Sequence, residues 1–280
     1  MDKKKSFYRP ELTQSGLAPT CTVIAYDEYG KQRETQIAGE LPLTIYLDRK
    51  EIVTLMTLGG HPEALVLGFL KNQRLINRIE DIKSIQVDWE TNAVAVTTNN
   101  PIENIEQRLE KRTVTTGCGQ GTVFGDIMAG LDEIKLEHFP IKQSMIYALL
   151  YNLREYNDVY KSAGAVHGCA LCQDERIINF VEDVGRHNAV DSIAGKMWLD
   201  NVSGCNKIFY TTGRLTSEMV IKIAQMGISV LLSRSGITQM GLDLAQKTGV
   251  TMIARAKGKH FLVFNGQKLI EYDAPPTRRP

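Results

Sequence analysis

The sequence predicts an α/β protein of two domains, a mixed α+β N-terminal domain followed by a C-terminal domain with a largely parallel sheet. Three observations lead to this prediction: five strand-like segments before residue 112, a glycine-rich stretch at 113–130, and regular alternation of strand-like and helix-like segments after residue 164. Such alternation is typical of parallel sheets covered by helices. The 280 residues are enough for one large domain or two modest ones.

The N-terminal domain is predicted to span residues 19–130, after a flexible arm at 1–18. Its strands are expected in five segments: TCTVIAYDEYG, LTIYLD, EIVTLMTL, SIQVDWE and AVAVTT. A helix is expected to begin near Pro62, because the apolar residues that follow recur with helical spacing. The segment ENIEQRLEKR is expected to form a short charged helix that completes the domain.

The C-terminal domain is predicted to span residues 140–272, with a disordered tail at 273–280. A helix is expected at 144–157, where apolar residues at 146, 149, 150 and 153 form one stripe. Strands and helices then follow in this order: GAVHGCALC, RIINFVED, NAVDSIAGKMWL, NKIFYTT, TSEMVIKIAQM, ISVLLS, ITQMGLDLAQKT, VTMIAR and HFLVFNG.

Composition narrows the class of protein. The net charge of +1 gives no global attraction to nucleic acid or to a membrane surface. No apolar run approaches the ~20 residues that span a bilayer, and the basic N-terminal residues lead into no apolar stretch typical of a secretory signal. Five cysteines, an odd number, fit a reducing compartment better than a disulfide framework. We therefore expect a cytoplasmic protein.

Cys118, in KRTVTTGCGQGTVFGD, is the first candidate for chemistry. The thiolate is the reactive form of cysteine, and partial exposure and nearby positive charge favour it. Lys111 and Arg112 lie just upstream, and the flanking glycines would let the loop reach a partner. These residues predict a nucleophile or sulfur carrier, and they leave open a cysteine without chemistry in a glycine-rich linker.

His167, Cys169 and Cys172 form a second candidate cluster, with residue types that bind zinc. On a strand, however, successive side chains point to opposite faces, which favours small buried cysteines over a metal site. His167, at the start of this strand, suits a residue that lines a site.

The stretch VEDVGRHNAVD, at 181–191, crowds polar side chains at a strand-to-helix transition. We expect Asn188 to cap the helix. Capping leaves Arg186 and His187 unexplained, and a guanidinium is well shaped to grip phosphate, so a ligand site is predicted here.

Two further loops, TTGRLTSEM at 211–219 and LLSRSGITQMG at 231–241, join a strand to a helix. In a parallel sheet both loops lie at the carboxyl edge, where helix N-termini offer N–H groups to anions. Arg214 and Arg234 add positive charge. Ordinary capping by Thr, Ser and Gly is the alternative. Together with the polar turn at 181–191, the two loops predict a pocket for a large phosphorylated ligand.

The chain resembles the FdhD family, the formate dehydrogenase accessory sulfurtransferases, from about residue 38 to 272. The resemblance is carried by GAVHGCAL, EDVGRHNAVD, TGRLTSEMV, TGVTMIA and a Ser-x-x-Thr at 235–238, with Leu67-Gly68-Phe69 and GCGQG as N-terminal matches. It implies a cytidine deaminase-like fold for the C-terminal domain and a homodimer. It further implies that sulfur passes from a cysteine desulfurase, as a persulfide, to the molybdenum cofactor Mo-bis(molybdopterin guanine dinucleotide), which activates formate dehydrogenase.

Carried over by residue, the resemblance makes Cys118 the persulfide-bearing cysteine. It makes one segment the binding site of the cofactor: Phe261, Leu262, Val263, Phe264, Asn265 and Gly266. Arg186 and His187 lie in the family's signature and are additional candidates to line this ligand. Family members often carry a second cysteine three positions after the first, where this chain has Gly121. That departure disfavours exchange between two loop thiols, and transfer through one cysteine is chemically complete.

Two other functions are consistent with the residues. The first is a molybdenum cofactor-binding chaperone without sulfur transfer, which the missing second cysteine would suit. The second is a zinc hydrolase related to the deaminases that uses His167, Cys169 and Cys172, although the paired H-x-E and P-C-x-x-C arrangement of such enzymes is absent.

Overall fold

The structure is a computed structural model that describes residues 7–100, 102, 113–114, 121–122 and 130–276. The strands are β1 Glu11–Leu12, β2 Thr20–Tyr26, β3 Gln32–Ala38, β4 Leu41–Leu47, β5 Lys50–Thr57, β6 Ile82–Asp88, β7 Ala93–Thr98, β8 Thr113–Val114, β9 Gly121–Thr122, β10 Ile141–Lys142, β11 His167–Gln173, β12 Arg176–Asp183, β13 Ile208–Thr211, β14 Val230–Ser233, β15 Thr251–Lys257, β16 His260–Asn265 and β17 Ile270–Glu271. The helices are α1 Pro62–Asn72, α2 Gln143–Asn152, α3 Asp158–Ala163, α4 Arg186–Leu199, α5 Ser217–Gln225 and α6 Gln239–Thr248.

The chain divides into two compact units. The first unit is Met1–Ile127 with Asp183–Val202, and the second is Met128–Glu182 with Ser203–Pro280. The structure thus differs from the predicted boundaries, because residues 183–202 leave the predicted C-terminal domain and pack with the first unit. The predicted helix ENIEQRLEKR lies outside the described residues, and so does Cys118 between β8 and β9. No helix in the described part of the chain has the length and apolarity that a membrane crossing requires.

The first unit is built on a five-stranded mixed sheet in the order β1-β6-β7-β4-β5. β4 runs parallel to β7 and antiparallel to β5. Leu43, Ile45 and Leu47 alternate along β4 and are fully buried, as expected for a strand with one face on a core. They pack with apolar residues of α1, so the predicted strand at 43–48 and the predicted helix from Pro62 are both confirmed.

Two glycines bring α1 and α4 into close contact in this unit. A Cβ at Gly68 would lie 1.7 Å from the carbonyl oxygen of Asp191, and a Cβ at Gly195 would lie 1.9 Å from that of Ala64. At the same crossing the Asn72 amide donates a 2.7 Å hydrogen bond to the Asp191 carboxylate. Only glycine at these two positions allows the backbones to approach this closely.

The N-terminal segment differs from the predicted flexible arm. Residues 11–12 pair with β6 in parallel, the Tyr8 hydroxyl donates to the carbonyl of Ile82, and the Trp89 indole donates to the carbonyl of Ser15. Residues 7–18 are therefore held on the first unit. The predicted strand at 20–30 also differs, because it ends at Tyr26. The Asp27 carboxylate then accepts the N–H groups of residues 29 and 31, and the chain returns as β3.

The second unit contains a six-stranded sheet in the order β12-β11-β13-β14-β15-β16. β13, β14 and β15 are parallel, and antiparallel neighbours flank them on both sides. The sheet is buried on both faces: Leu171, Phe209 and Leu231 are fully buried, and their strand neighbours pack in a core with α2. The predicted α/β class is confirmed in this sheet, and the cytidine deaminase-like detail stays a prediction.

All four residues of the predicted apolar stripe are buried: Ile146, Leu149 and Leu150 on α2, and Leu153 in the turn that follows it. The helix is shorter than the predicted 144–157, because α2 ends at Asn152, a 3-10 turn covers Leu153–Glu155 and α3 begins at Asp158. At its N-terminus Ser144 donates both its N–H and its hydroxyl to the Asp273 carboxylate. Asp273 is therefore ordered, although it belongs to the predicted disordered tail.

Candidate functional site

The loops after β13 and β14 lie side by side in the second unit. Thr211 and Ser233 end these parallel strands at the same level of the sheet. The Leu215 N–H donates to the carbonyl of Gly236 over 3.0 Å, and the Thr238 N–H donates back to the carbonyl of Leu215 over 3.1 Å. The two loops that the sequence singled out are thus joined, and each leads into a helix at the carboxyl edge of the sheet.

Hydroxyl groups fix the shape of both loops. The Ser233 hydroxyl donates to the carbonyl of Gly213 over 2.7 Å and accepts the Ser235 N–H over 2.9 Å. The Thr211 hydroxyl accepts the Gly213 N–H over 3.0 Å. The Thr238 hydroxyl caps α6 by accepting the N–H of residue 241. The hydroxyl groups of Thr211, Ser233 and Thr238 therefore hold the backbone of the two loops in place. This structural role does not account for the arginines of these loops.

A polar cavity of about 340 Å³ opens beside these loops. Its lining residues come from α3, β11 and both loops: Asn157, Tyr160, Val166, His167, Gly168, Thr212, Arg234 and Ser235. The Thr212 hydroxyl accepts the Gly168 N–H over 3.1 Å and lies 3.4 Å from Nδ1 of His167. His167 thus lines a cavity, where the sequence expected it. We call this cavity the polar lobe.

Gly168, in the lining of the polar lobe, packs closely against Phe180 of β12. A Cβ at this position would lie 2.8 Å from the Phe180 ring and 3.4 Å from the side-chain oxygen of Asn157. Any larger residue would therefore displace the Phe180 ring of β12. This requirement gives a local reason for the glycine in GAVHGCAL.

A second cavity, of about 480 Å³, lies next to the polar lobe. Its lining residues come from α2 and the segment that follows it, from β13, from the loop after β14, and from the end of β15 with the turn after it: Tyr147, Leu150, Tyr151, Leu153, Arg154, Asn157, Tyr210, Arg234, Ala256, Lys257, Gly258 and Lys259. We call it the tyrosine lobe. Arg234 and Asn157 line both lobes, so the two form one groove within the second unit.

The groove is electropositive, because none of its described lining residues is acidic and four of them are basic. The basic residues are Arg154, Arg234, Lys257 and Lys259. Burial raises the pKa of Tyr210 to about 12, and the Arg234 guanidinium, bonded to the phenol, opposes that rise. Tyr210 is therefore a neutral hydrogen-bonding partner that holds Arg234 where the two lobes meet.

The predicted cofactor-binding segment 261–266 covers most of β16, an edge strand next to this groove. The Phe261 ring packs on Tyr147 with 5.9 Å between centroids, and Phe261 and Val263 contact the core. Leu262 is 40% exposed, and Phe264 is half-buried. The Asn265 amide donates to the carbonyls of residues 245 and 250, and Gly266 has a φ of 79°. Phe261 thus supports the wall of the tyrosine lobe, and Asn265 ties the strand to α6.

Residues 183–191 of the predicted site belong to the first unit. The buried Asp183 carboxylate accepts hydrogen bonds from the Thr57 hydroxyl, from the N–H groups of residues 58 and 185, and from the Asn188 amide. Burial raises the pKa of Asp183, and these donors oppose that rise. Asn188 does not cap α4 as expected; Gly185 holds the N-cap position, and the Asn188 amide also donates to the carbonyl of Met56.

Arg186 and His187 are almost fully buried in the first turn of α4, at 5% and 2% exposure. The structure assigns them to the first unit, and they are not among the lining residues of either lobe. Their role as ligand-lining residues stays a prediction. Glu182, the residue before this cluster, accepts the N–H groups of Val159 and Tyr160 at the start of α3 in the second unit.

The described cysteines differ sharply in environment. Cys169 and Cys172 are fully buried on β11, and burial raises the pKa of Cys172 to about 12. The Cys169 thiol donates to the Thr211 hydroxyl. The Cys205 thiol donates to the Glu137 carboxylate over 2.8 Å, which raises its pKa, whereas Cys21 is exposed on β2. Among the described residues no three His, Cys, Asp or Glu side chains are grouped to hold a metal ion.

The sequence did not identify the tyrosines and lysines of the groove. Tyr147 and Tyr151 are four residues apart on α2 and lie off its buried stripe, which was the available signal. Lys257 and Lys259 flank a glycine in the turn between two predicted strands. Asn157 had no signal, because its position in the groove depends on how the chain turns between α2 and α3.

Comparisons with known proteins agree on one family. A model of the FdhD/NarQ family matches residues 38–271. The sulfur carrier protein FdhD of Listeria monocytogenes F2365 is 30% identical over 236 residues, which cover 83% of this chain and 90% of the relative. The protein of the same name from Bacillus subtilis 168 is 30% identical over 235 residues, covering 82% and 88%. That from Geobacillus kaustophilus is 30% identical over 261 residues, covering 91% and 98%.

A solved structure supports the same relationship. A crystal structure from Desulfotalea psychrophila, described as a formate dehydrogenase accessory protein, superimposes with a TM-score of 0.71 at 28% identity. The match covers 90% of this chain and 98% of that one. The sequence and structural comparisons therefore extend over both units rather than one. The chain belongs to the FdhD/NarQ family.

Proposed function

We propose that this chain is a sulfur carrier in the maturation of formate dehydrogenase. Cys118 takes persulfide sulfur from a cysteine desulfurase and passes it to Mo-bis(molybdopterin guanine dinucleotide), which the second unit binds as cargo. The names of the relatives, sulfur carrier protein and formate dehydrogenase accessory protein, support the coarse role. The observation that carries the finer proposal is the groove at Arg234.

The groove has the chemistry that a guanine dinucleotide requires. Its lobes of about 480 and 340 Å³ fall in the size range of small-molecule sites. Tyrosine rings offer flat apolar faces to a purine, and basic side chains offer charge-assisted hydrogen bonds to phosphate. We assign the base to the tyrosine lobe and the phosphates to the polar lobe, with Arg234 contacting the phosphates from the junction.

The proposed sulfur transfer needs a single thiol. The Cys118 thiolate attacks the outer sulfur of the donor persulfide, a new S–S bond forms at Cys118, and the desulfurase cysteine leaves as a thiolate. The carried sulfur is at the sulfane level. Two electrons, from a small thiol or from the metal, are therefore needed for it to become a sulfido ligand while Cys118 returns to the thiolate.

Two buried cysteines of the second unit are poorly suited to this role. Cys169 and Cys172 are buried on β11, and the pKa of Cys172, at about 12, keeps its thiol protonated at neutral pH. A buried, protonated thiol is a poor nucleophile. We therefore expect the sulfur to reside on Cys118.

Intact-protein mass measurement tests the sulfur step. After incubation with cysteine desulfurase and cysteine, the wild-type protein should gain the mass of one sulfur atom. Cys118→Ser should gain none, and Cys205→Ser, the matched control, should gain as much as the wild type. If Cys118→Ser still gains sulfur and still activates formate dehydrogenase, the proposed carrier residue is wrong.

Calorimetry with GDP as the probe tests the groove. Arg234→Ala should weaken binding by about 10- to 100-fold, because a hydrogen bond to a charged group contributes about 1.5–3 kcal/mol. Arg214→Ala removes an exposed arginine from the neighbouring loop, outside the lining of both lobes, and should leave the affinity unchanged. Equal affinities for both variants would contradict the groove assignment. GDP binding by a protein that never gains sulfur would instead indicate a cofactor chaperone.

A further inference from the structure

Asn157 holds the N-cap position of α3, but its side chain does not cap this helix. An asparagine at such a position normally accepts the N–H of the second or third helical residue with its side-chain oxygen. Here the Glu182 carboxylate accepts both of these N–H groups, from Val159 and Tyr160, over 2.9 Å each. The helix therefore does not use the side-chain oxygen of Asn157.

A hydrogen bond at the other end of the Asn157 amide fixes its orientation. The amide nitrogen donates to the carbonyl of Leu153 over 2.6 Å, and the reversed amide would place two oxygen atoms against each other. The side-chain oxygen lies 3.4 Å from the position of a Cβ at Gly168, which lines the polar lobe. Asn157 itself lines both lobes, so the atom that it can offer to a ligand is a hydrogen-bond acceptor.

An acceptor at the junction of the two lobes suits one part of the proposed ligand. The ribose of a nucleotide lies between the base and the phosphates, so a base in the tyrosine lobe and phosphates in the polar lobe place the ribose at the junction. Phosphate oxygens would repel the Asn157 oxygen, whereas a ribose hydroxyl can donate to it. Arg234, which also lines both lobes, supplies the donors that phosphate requires.

We propose that the side-chain oxygen of Asn157 accepts a hydrogen bond from a ribose hydroxyl of the bound guanine nucleotide and makes the groove selective for ribose. This inference rests on the proposed function, because it takes the positions of the base and the phosphates from it. It adds a residue that distinguishes nucleotides by their sugar. Both hydroxyl groups are free in a dinucleotide joined through a pyrophosphate, so GDP and the proposed cargo offer the same donors.

Calorimetry on the full chain with two probes, GDP and 2′,3′-dideoxy-GDP, tests the contact. The wild-type protein should bind GDP about three- to tenfold more tightly, because the dideoxy sugar lacks the donor for Asn157. Asn157→Ala should bind the two probes equally. The ratio of the two affinities is the decisive quantity, because a turn weakened by loss of the bond to Leu153 would lower both affinities by the same factor.

Asn152→Ala is the matched control. The Asn152 amide, at the end of α2, donates to the carbonyl of Glu175 over 3.0 Å, and Asn152 is not among the lining residues of either lobe. This variant therefore loses the same kind of hydrogen bond without losing an acceptor in the groove. It should keep the wild-type preference for GDP.

Three results would overturn the ribose contact while the groove assignment stands on the weaker GDP binding of Arg234→Ala. The first is a wild-type protein that binds both probes equally. The second is a preference for GDP that persists in Asn157→Ala. The third is a preference that Asn152→Ala also abolishes, which would trace it to the shape of the segment between α2 and α3. A wild-type protein that binds neither probe would instead overturn the groove assignment and this inference with it.

Discussion

The close crossing of α1 and α4 makes a strong prediction for Gly68→Ala. The added Cβ would lie 1.7 Å from the carbonyl oxygen of Asp191 and 2.8 Å from the backbone nitrogen of Gly195. These atoms belong to helix backbone and cannot rotate away, so the helices must separate by roughly 2 Å to restore ordinary contact. Such a separation also stretches the buried hydrogen bond from Asn72 to Asp191.

We expect the destabilisation caused by Gly68→Ala to exceed the gain in helix propensity. Alanine is favoured over glycine inside a helix by about 1 kcal/mol. Overpacking costs about 1–3 kcal/mol, and weakening a buried hydrogen bond adds about 1–3 kcal/mol. We therefore expect the free energy of unfolding to fall by about 1–5 kcal/mol, compared with the 5–15 kcal/mol typical of a folded domain.

Denaturant unfolding followed by circular dichroism measures this change. The control is Gly60→Ala, because a Cβ at Gly60 would meet no atom within 4 Å. Gly195→Ala should resemble Gly68→Ala, and the double variant should cost less than the sum of the two, since the first substitution already separates the helices. If Gly68→Ala unfolds within ~0.5 kcal/mol of the wild type, our account of the crossing is refuted.

Three smaller predictions follow from individual side chains. Iodoacetamide at pH 8 should label exposed Cys21 and leave buried Cys172 unlabelled until the protein unfolds, as measured by mass spectrometry. The pKa of Cys172 in the folded protein, about 12, lies above the 9.0 of a free thiol. The stability that the protonated Cys172 thiol contributes is therefore full below pH 9 and falls as the pH rises toward 12. Asn265→Ala should lower the free energy of unfolding by about 1–3 kcal/mol in a thermal or denaturant melt, because two backbone carbonyls lose their donor. Tyr210→Phe should weaken GDP binding several-fold in calorimetry with an unchanged melting temperature, because Arg234 loses the phenol that holds it; unchanged affinity would contradict this role.

The spacing of apolar residues predicted those helices and strands that bury only one face. The stripe on α2 and the alternation along β4 were readable because apolar residues there face a core and polar ones do not. β3 was missed for the same reason. Residues of QRETQIA are exposed or half-buried on both faces, so the sequence carries no alternation there, and only the Asp27 turn and the pairing with β2 define the strand.

The groove could be predicted only in part. Arg234 was predicted because it follows a strand in a parallel sheet, where the location of the carboxyl edge is a property of the topology. Tyr151 and Lys259 come from segments about a hundred residues apart, and no local pattern shows that a helix and a strand turn meet in one cavity. Their convergence depends on packing across the whole second unit.

The signature at 181–191 shows why a dense polar motif is not by itself a binding site. Glu182 and Asp183 are neighbours whose carboxylates serve different units: Glu182 accepts two N–H groups at the start of α3, and Asp183 accepts donors from the end of β5 and from α4. Adjacent strand residues point to opposite faces, so one short stretch can satisfy donors on two sides. Loss of the Asp183 carboxylate would leave buried donors unsatisfied. Arg234 is exposed and lines both lobes of the groove, whereas Arg186 is buried in the first turn of α4. This difference supports our proposal that the ligand binds at the strand ends of the second unit.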